Sequence, residues 1–145
     1  MTRNKTVALL VMALGLAASC AGTAPNVLHV QLGPSGPGST TTEINDGVLG
    51  RMLSFQEVTV KPVGGDGTRQ VQVTIANTTS RDVAFEYRFV WYDGKGFEVS
   101  SLAAWLPAVL GAGESRGFVS TAPGVDAASF RLMVRMPHGV TPAGT

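Results

Sequence analysis

The sequence predicts an all-β fold, an immunoglobulin-like antiparallel β-sandwich of about seven strands, preceded by a signal peptide and a flexible tether. Apolar residues alternate with polar ones in short runs, which is the pattern of strands with one buried face. Turn residues separate these runs, and the 145 residues include 18 glycines and 8 prolines, which favours strands and turns over long helices. A small β-barrel is the main alternative.

Residues 1–19 have the order of a lipoprotein signal peptide. Arg3 and Lys5 precede an uncharged run of 12 residues over 7–18, and small residues lead to Cys20, the single cysteine of the chain. The run is shorter than the roughly 20 residues of a membrane-spanning helix, so we expect cleavage and not a permanent span. A soluble periplasmic protein with an ordinary signal is the alternative.

We expect Cys20 to accept the lipid and to become the mature N-terminus, because its position after small residues resembles a lipobox. A lone thiol would otherwise enter an oxidising compartment without a disulfide partner. Two or more acyl chains, such as palmitate, anchor a protein stably where one is marginal. Ala21 is not the aspartate that retains lipoproteins at the inner membrane, so we expect an outer-membrane lipoprotein whose domain faces the periplasm.

Three further regions follow the signal. Residues 20–42 are predicted to form the lipidated N-terminus and a tether rich in Gly, Pro, Ser and Thr, a composition that buries little apolar surface. An edge strand at Val27–Val30 is an open alternative within the tether. The sandwich domain is predicted over 43–136 and a flexible tail over 137–145.

Six runs within the domain alternate as strands do, and a tight turn after the third is expected to start a short return strand at Phe97–Ser100. The third and strongest run, Val83–Asp93, places its aromatic side chains on one face, which we expect to be core, and Glu86 and Arg88 on the other. The predicted strands are Ser54–Lys61, Gln70–Asn77, Val83–Asp93, Leu106–Leu110, Ser115–Thr121 and Ser129–Arg135, and only Val48–Leu53 and Leu102–Leu106 admit a short helix.

The ionisable residues predict no catalytic site, no metal site and no cofactor. His29 and His138 fall in the predicted tether and tail, where the fixed geometry of a general base or a metal ligand is not expected. Signal cleavage removes two of the 11 basic residues and leaves nine against ten acidic ones, a net charge of about −1 that gives no electrostatic footprint for nucleic acid, so we expect no nucleic-acid partner. A hydrolase is the least favoured alternative. It would need a carboxylate pair from Glu57, Glu86, Glu98 or Glu114.

Several motifs occur in order within the predicted domain: Ala76–Ser80, Tyr87–Val99, Trp105–Pro107, Gly113–Ser115, Ala122–Pro123 and Phe130–Leu132. Together they resemble the YcfL-like family of uncharacterised bacterial lipoproteins, DUF1425. The resemblance implies a small periplasmic β-sandwich with no established enzymatic activity. Members are often encoded near a lipoprotein that activates peptidoglycan synthesis, which implies an envelope partner linked to that process.

We therefore expect a non-catalytic envelope module that binds another protein through one face of the sandwich. Arg88 and Tyr92, with the neighbouring Asp93 and Trp105, form the candidate interaction patch, because arginine and exposed aromatic residues dominate binding hot spots. Coverage of Trp105 by the sandwich is the competing interpretation. Binding of a glycan or lipid is the alternative function, which requires a concave pocket with convergent polar groups.

Cys20→Ala is expected to release the protein from the membrane fraction, because the substitution removes the thiol that takes the lipid. Mass spectrometry of the wild-type N-terminus is expected to show an acylated Cys20. Ser19→Ala keeps a small residue before the cysteine and serves as the control that stays anchored. A soluble, unacylated wild-type protein would overturn the assignment.

Overall fold

Eight strands and one short helix form over residues 24–100 and 104–139, the part of the chain that the computed structural model describes. The elements are β1 (Asn26–Leu32), β2 (Pro37–Glu43), α1 (Gly47–Met52), β3 (Leu53–Pro62), β4 (Arg69–Asn77), β5 (Val83–Asp93), β6 (Leu106–Leu110), β7 (Ser115–Thr121) and β8 (Ala127–Arg135). They make two antiparallel sheets, with the orders β2-β1-β8-β5-β6 and β3-β4-β7. The predicted all-β sandwich is confirmed.

The core lies between the two sheets and is built from alternating residues. On β4, Val71, Val73 and Ile75 are fully buried, as the alternation predicts. Trp91 on β5 is also buried, and its Nε1 donates a hydrogen bond to Ser120 Oγ on β7 at 2.9 Å. This bond links the two sheets and satisfies the polar group of the largest core side chain.

The strand order corresponds to that of an immunoglobulin domain with one exchange. β3, β4 and β7 take the places of strands A, B and E, while β5, β6 and β8 take those of C, C′ and F. Strand G normally follows F in the chain, but here β1 occupies its position beside β8. Trp91 has the position of the buried tryptophan on strand C.

β1 and β2 show that the predicted tether over 20–42 is wrong for residues 26–42. β1 lies between β2 and β8 in the five-stranded sheet, where Leu28 and Val30 are only 2% and 1% exposed. The strand considered as an alternative in this segment is therefore real, but it lies inside the sheet and not at its edge. The sandwich domain accordingly begins at Asn26.

The cause of this difference is a pairing partner that is distant in sequence. Val30 pairs with Phe130 on β8, and a local composition cannot show that such a partner exists. β2 is stabilised in another way, because all seven of its residues are exposed and its backbone pairs with β1, while the side chain of Glu43 contacts His29 and Asn45. The signal peptide and residues 20–23 lie outside the described part of the chain.

The remaining predicted strands agree with the observed bounds to within two residues, apart from the return at Phe97–Ser100. That segment contributes a single bridge, between Tyr92 and Glu98. Residues 101–103 and 140–145 are not described, so the helix admitted near residue 102 and most of the predicted tail lie outside the description.

The short helix admitted after residue 47 is α1, and a side chain determines where it begins. Asp46 Oδ1 accepts the backbone N–H groups of Val48 and Leu49, both at 3.0 Å. An acidic N-cap of this kind satisfies donors that the first turn of a helix leaves without partners. Leu49 is fully buried and attaches the helix to the core.

Two buried asparagines hold the connections between strands. Asn26, 2% exposed, accepts the backbone N–H groups of Asn45 and Asp46 at 2.8 and 2.7 Å, so the start of α1 is attached to β1. Asn77, also 2% exposed, donates from Nδ2 to three backbone carbonyls beyond β4 and at the end of β6, at 2.7 to 3.1 Å. A buried amide with this many bonds is costly to replace, because each orphaned partner costs about 1–3 kcal/mol.

Leu28→Ala is expected to lower the free energy of unfolding by about 3 kcal/mol, because it leaves a cavity in the core. In a flexible tether the same substitution would have almost no effect. Urea denaturation measures the difference, and Gln31→Ala, an exposed position on the same strand, is the control, with an expected loss below about 1 kcal/mol. Equal losses for the two variants would contradict the placement of β1.

Candidate interaction face

The outer face of the five-stranded sheet collects long cationic and aromatic side chains. Alternation along β5 directs Arg88 and Tyr92 away from the core, and alternation along β8 does the same for Arg131 and Arg135. Trp105, one residue before β6, contacts two of these arginines. We call these five residues the arginine–aromatic face.

Trp105 is the centre of one half of this face. The guanidinium carbons of Arg135 and Arg88 lie 4.0 and 4.7 Å from the centre of its ring. Arg135 Nε also donates to Glu86 Oε2 at 2.7 Å, in an ion pair whose side chains are 26% and 19% exposed. Cation–π contacts at accessible sites contribute about 0.5–1 kcal/mol each, so these contacts favour one arrangement of the indole and its neighbours.

Beneath these side chains the outer face has a buried residue of its own. Val90 lies between Arg88 and Tyr92 on β5 and pairs with Arg131, yet it is only 3% exposed. It does not belong to the core between the sheets. Arginine stems cover apolar surface in this way while their charged ends stay in water. The arginine–aromatic face is therefore a packed layer.

Arg131 and Tyr92 form the other half of the face. The guanidinium carbon of Arg131 lies 4.8 Å from the centre of the Tyr92 ring. A groove of about 180 Å³ opens beside this pair. His29, Gln31 and Ser129 line it together with the turn that follows β5, so its wall is rich in polar groups.

An ion pair lies next to this groove. His29 Nε2 is 3.5 Å from Glu43 Oε2, and Asn45 Nδ2 donates to Glu43 Oε1 at 3.0 Å. The Asn45 hydrogen bond is the main cause that holds the pKa of Glu43 below its ordinary value of 4.5, and His29 and the more distant Arg131 lower this pKa further. His29, predicted to lie in a flexible tether, is thus part of β1 and of a charged cluster.

The structure places the predicted patch residues in three different settings. Arg88 and Trp105 are in contact, and Tyr92 lies on the same face beside Arg131. Trp105 is half-buried against arginine side chains, so the sandwich core does not cover it.

Cys20 and Ala21, the predicted lipidation and sorting residues, lie outside the described part of the chain.

Asp93, the fourth predicted patch residue, shapes the turn after β5. Its Oδ1 accepts the backbone N–H groups of Lys95 and Phe97, both at 2.9 Å. Gly96 in the same turn has a φ of +86°, a conformation that a residue with a side chain rarely adopts. Asp93 therefore positions one wall of the groove and is not a free contact residue.

Sequence reasoning missed Arg131 and Arg135 and the ion pair with Glu86. A signal for the two arginines existed, because an inward set of Phe130, Leu132 and Val134 implies that Arg131 and Arg135, which alternate with it, face outward. The pattern could not show that β8 pairs with β5, since strand neighbours are not encoded in local alternation. The predicted patch therefore contained β5 residues and Trp105 but no residue of β8.

Other ionisable groups make local structural bonds. Glu114 Oε2 accepts the backbone N–H of Gly111 at 2.7 Å, and Oε1 accepts from Arg116 at 2.6 Å. These two contacts, the first most strongly, lower the pKa of Glu114.

Within residues 24–100 and 104–139, no group of three or more His, Cys, Asp or Glu is placed to hold a metal ion. Across the same residues, no helix has the length and apolarity needed to cross a bilayer.

A second groove, of about 220 Å³, lies where the edges of the two sheets meet. Tyr87 and Trp91 of β5 line it together with Ser120 and Thr121 of β7. Pockets that enclose a drug-sized molecule measure roughly 300–1,000 Å³. Both grooves are therefore small for a sugar chain or a lipid tail.

Comparison with known proteins gives a family and a fold. A family model described as a protein of unknown function (DUF1425) matches residues 40–136. The crystal structure of a DUF1425 family member from Shewanella sp. pv-4 has a TM-score of 0.53 and 17% identity, and covers 77% of this chain and 98% of that chain. The crystal structure of Campylobacter jejuni cj0090 has a TM-score of 0.47 and 16% identity, and covers 57% of this chain and 85% of that chain. No curated protein matches the sequence.

The carboxyl group of Glu43 is expected to titrate below 4.5, the ordinary value, in a ¹³C NMR titration. Asn45→Ala should raise the midpoint, because it removes the largest cause of the lowered pKa. Since the folded pKa lies below the unfolded one, the contribution to stability is present above the unfolded pKa and is lost as the pH falls through the folded pKa. A wild-type midpoint at or above the ordinary value would contradict this geometry.

Proposed function

We propose, from the premise that the chain belongs to the DUF1425 family, that it is a non-catalytic interaction module of the bacterial envelope. In this proposal a partner protein docks on the arginine–aromatic face. The family model carries no assigned function, so the proposal depends on the face itself. The observation that carries it is the packing of Arg88 and Arg135 on the ring of Trp105.

Such an arrangement has the properties of a binding hot spot. Tryptophan, tyrosine and arginine are the residue types that contribute most to binding energy at protein interfaces. Here cation–π contacts hold these side chains before a partner arrives, so less conformational freedom is lost on binding. The sheet beneath them is a rigid support, because β5 and β8 are paired over most of their length.

The proposal places the domain close to a membrane. With the lipid on Cys20, the anchored chain has only six residues before β1 begins at Asn26, a distance of at most about 20 Å when extended. We propose an outer-membrane lipoprotein whose domain stays near the inner leaflet and faces the periplasm. A partner linked to peptidoglycan synthesis, which the family resemblance implies, would have to reach that layer.

Binding of a glycan or lipid is the weaker proposal. The two grooves of about 180 and 220 Å³ are below the usual volume of an enclosed ligand site. A partner protein needs no deep pocket, because protein interfaces gain their energy from packed anchor residues over a broad area.

A photo-crosslinking residue at Ala84, exposed beside the face, is expected to capture the partner in living cells. The same residue at Gln72, exposed on the outer side of the three-stranded sheet, is expected to capture much less. Arg88→Ala combined with Trp105→Ala should reduce the product at position 84 at least about tenfold, because loss of a hot-spot pair exceeds 1.4 kcal/mol.

The matched control is Arg81→Ala combined with Val125→Ala, which removes an exposed arginine and an exposed apolar side chain outside the face. It should leave capture unchanged. Urea denaturation of both double variants shows whether either loses its fold. Equal capture at positions 84 and 72, or capture that survives in a folded Arg88→Ala, Trp105→Ala variant, would contradict the proposal.

A further inference from the structure

We propose that Arg131 binds a carboxylate of the partner protein in the groove between β1, β8 and the turn after β5. The inference rests on the proposed function and deepens it. It names the chemical group that this half of the arginine–aromatic face recognises, an acidic side chain or a chain terminus of the partner.

Arg131 differs from Arg135 in what its guanidinium contacts. Arg135 already has an internal carboxylate, because its Nε donates to Glu86 Oε2 at 2.7 Å. Arg131 lies over the ring of Tyr92 at 4.8 Å, and no other residue in the described ranges makes a hydrogen bond or ion pair with its guanidinium. Stacking uses the flat face of a guanidinium and leaves the N–H groups at its rim available.

The groove beside Arg131 supplies further donors. The hydroxyl of Ser129 and the amide of Gln31 line it, together with the imidazole of His29, whose Nε2 faces Glu43. An arginine fork can give a carboxylate two parallel N–H···O bonds, which are among the strongest hydrogen bonds in proteins. A groove of about 180 Å³ has room for one acidic side chain but is below the size of usual small-molecule pockets.

The charges around the groove are of both signs. Arg131 lines the groove, and the nearby Glu86 is already paired with Arg135. Glu98, which is bridged to Tyr92, lies near the groove. Glu43 opposes an incoming anion, but Asn45 and His29 hold its carboxylate at the other side of β1. Glu43 therefore weakens the site without occupying it, and its removal should strengthen binding.

The test uses the full-length protein in neutral detergent micelles and an acetylated tetraglutamate amide as the probe. Amide NMR signals of Gly96 and Ser129 report the groove, and a tetraglutamine peptide is the neutral control. We expect saturable shifts with tetraglutamate only. Arg131→Gln should weaken binding about tenfold, and Arg131→Lys should weaken it about threefold, because lysine keeps the charge but loses the fork.

Two further variants separate local recognition from net charge. Arg81→Gln, at an exposed site outside the face, should change affinity less than about twofold, because surface charges beyond a Debye length are screened. Glu43→Gln should increase affinity. Equal weakening by Arg131→Gln and Arg81→Gln, or no saturable shift with tetraglutamate, overturns the proposal. A preference for inorganic phosphate or for phosphatidylglycerol vesicles over the peptide also overturns it.

Failure of this inference and failure of the proposed function are distinguishable. If the partner is captured at position 84 and its capture is the same in Arg131→Gln, the docking face stands and the carboxylate site does not. If the peptide binds through Arg131 but no partner is captured, the site stands and the docking function does not.

Discussion

The pairing of β5 with β8 is the constraint on which both the core and the outer face depend. Trp91 lies opposite Phe130 on the inner side, and Glu86 lies opposite Arg135 on the outer side. Because side chains alternate along a strand, a shift of one residue in this register would bury the arginines and expose the aromatic rings. Because such a shift would cost the packing of the core, the core fixes the register, and this register places Glu86 opposite Arg135. The arrangement of the arginine–aromatic face is therefore a consequence of core packing.

At the ends of the strands, polar side chains form hydrogen bonds with backbone groups that strand pairing does not satisfy. Asn26 and Asn77 satisfy backbone groups in the connections, where regular strand pairing stops. Arg69 on β4 donates to the carbonyls of Gly33 and Ala127, both at 2.9 Å, and so joins the three-stranded sheet to the β1–β2 turn and to the start of β8 in the five-stranded sheet. These bonds are long-range in sequence, and each one needs the sandwich to be assembled before it can form.

The two halves of the outer face differ in how their charge is balanced. Around Trp105, the ion pair between Glu86 and Arg135 compensates one cation inside the protein. Around Tyr92, the stacked Arg131 lines a groove together with polar and apolar residues, and the neighbouring Glu43 is engaged by Asn45 and His29. One half thus resembles a preassembled apolar and cationic anchor, while the other keeps hydrogen-bond donors directed to solvent. This division gives the proposed docking face two chemically distinct parts.

The sequence by itself determined the elements whose burial shows in local alternation. The strands from residue 54 onward, the inward face of β4 and the outward position of Arg88 all follow from a period of two, which any strand with one buried face must show. Only the tertiary structure decided that β1 enters the sheet and that Arg131 and Arg135 join the face. Both depend on β8, which pairs with β1 on one side and β5 on the other. Neighbours in a sheet are chosen by packing across the whole domain, so no local pattern in the chain records them.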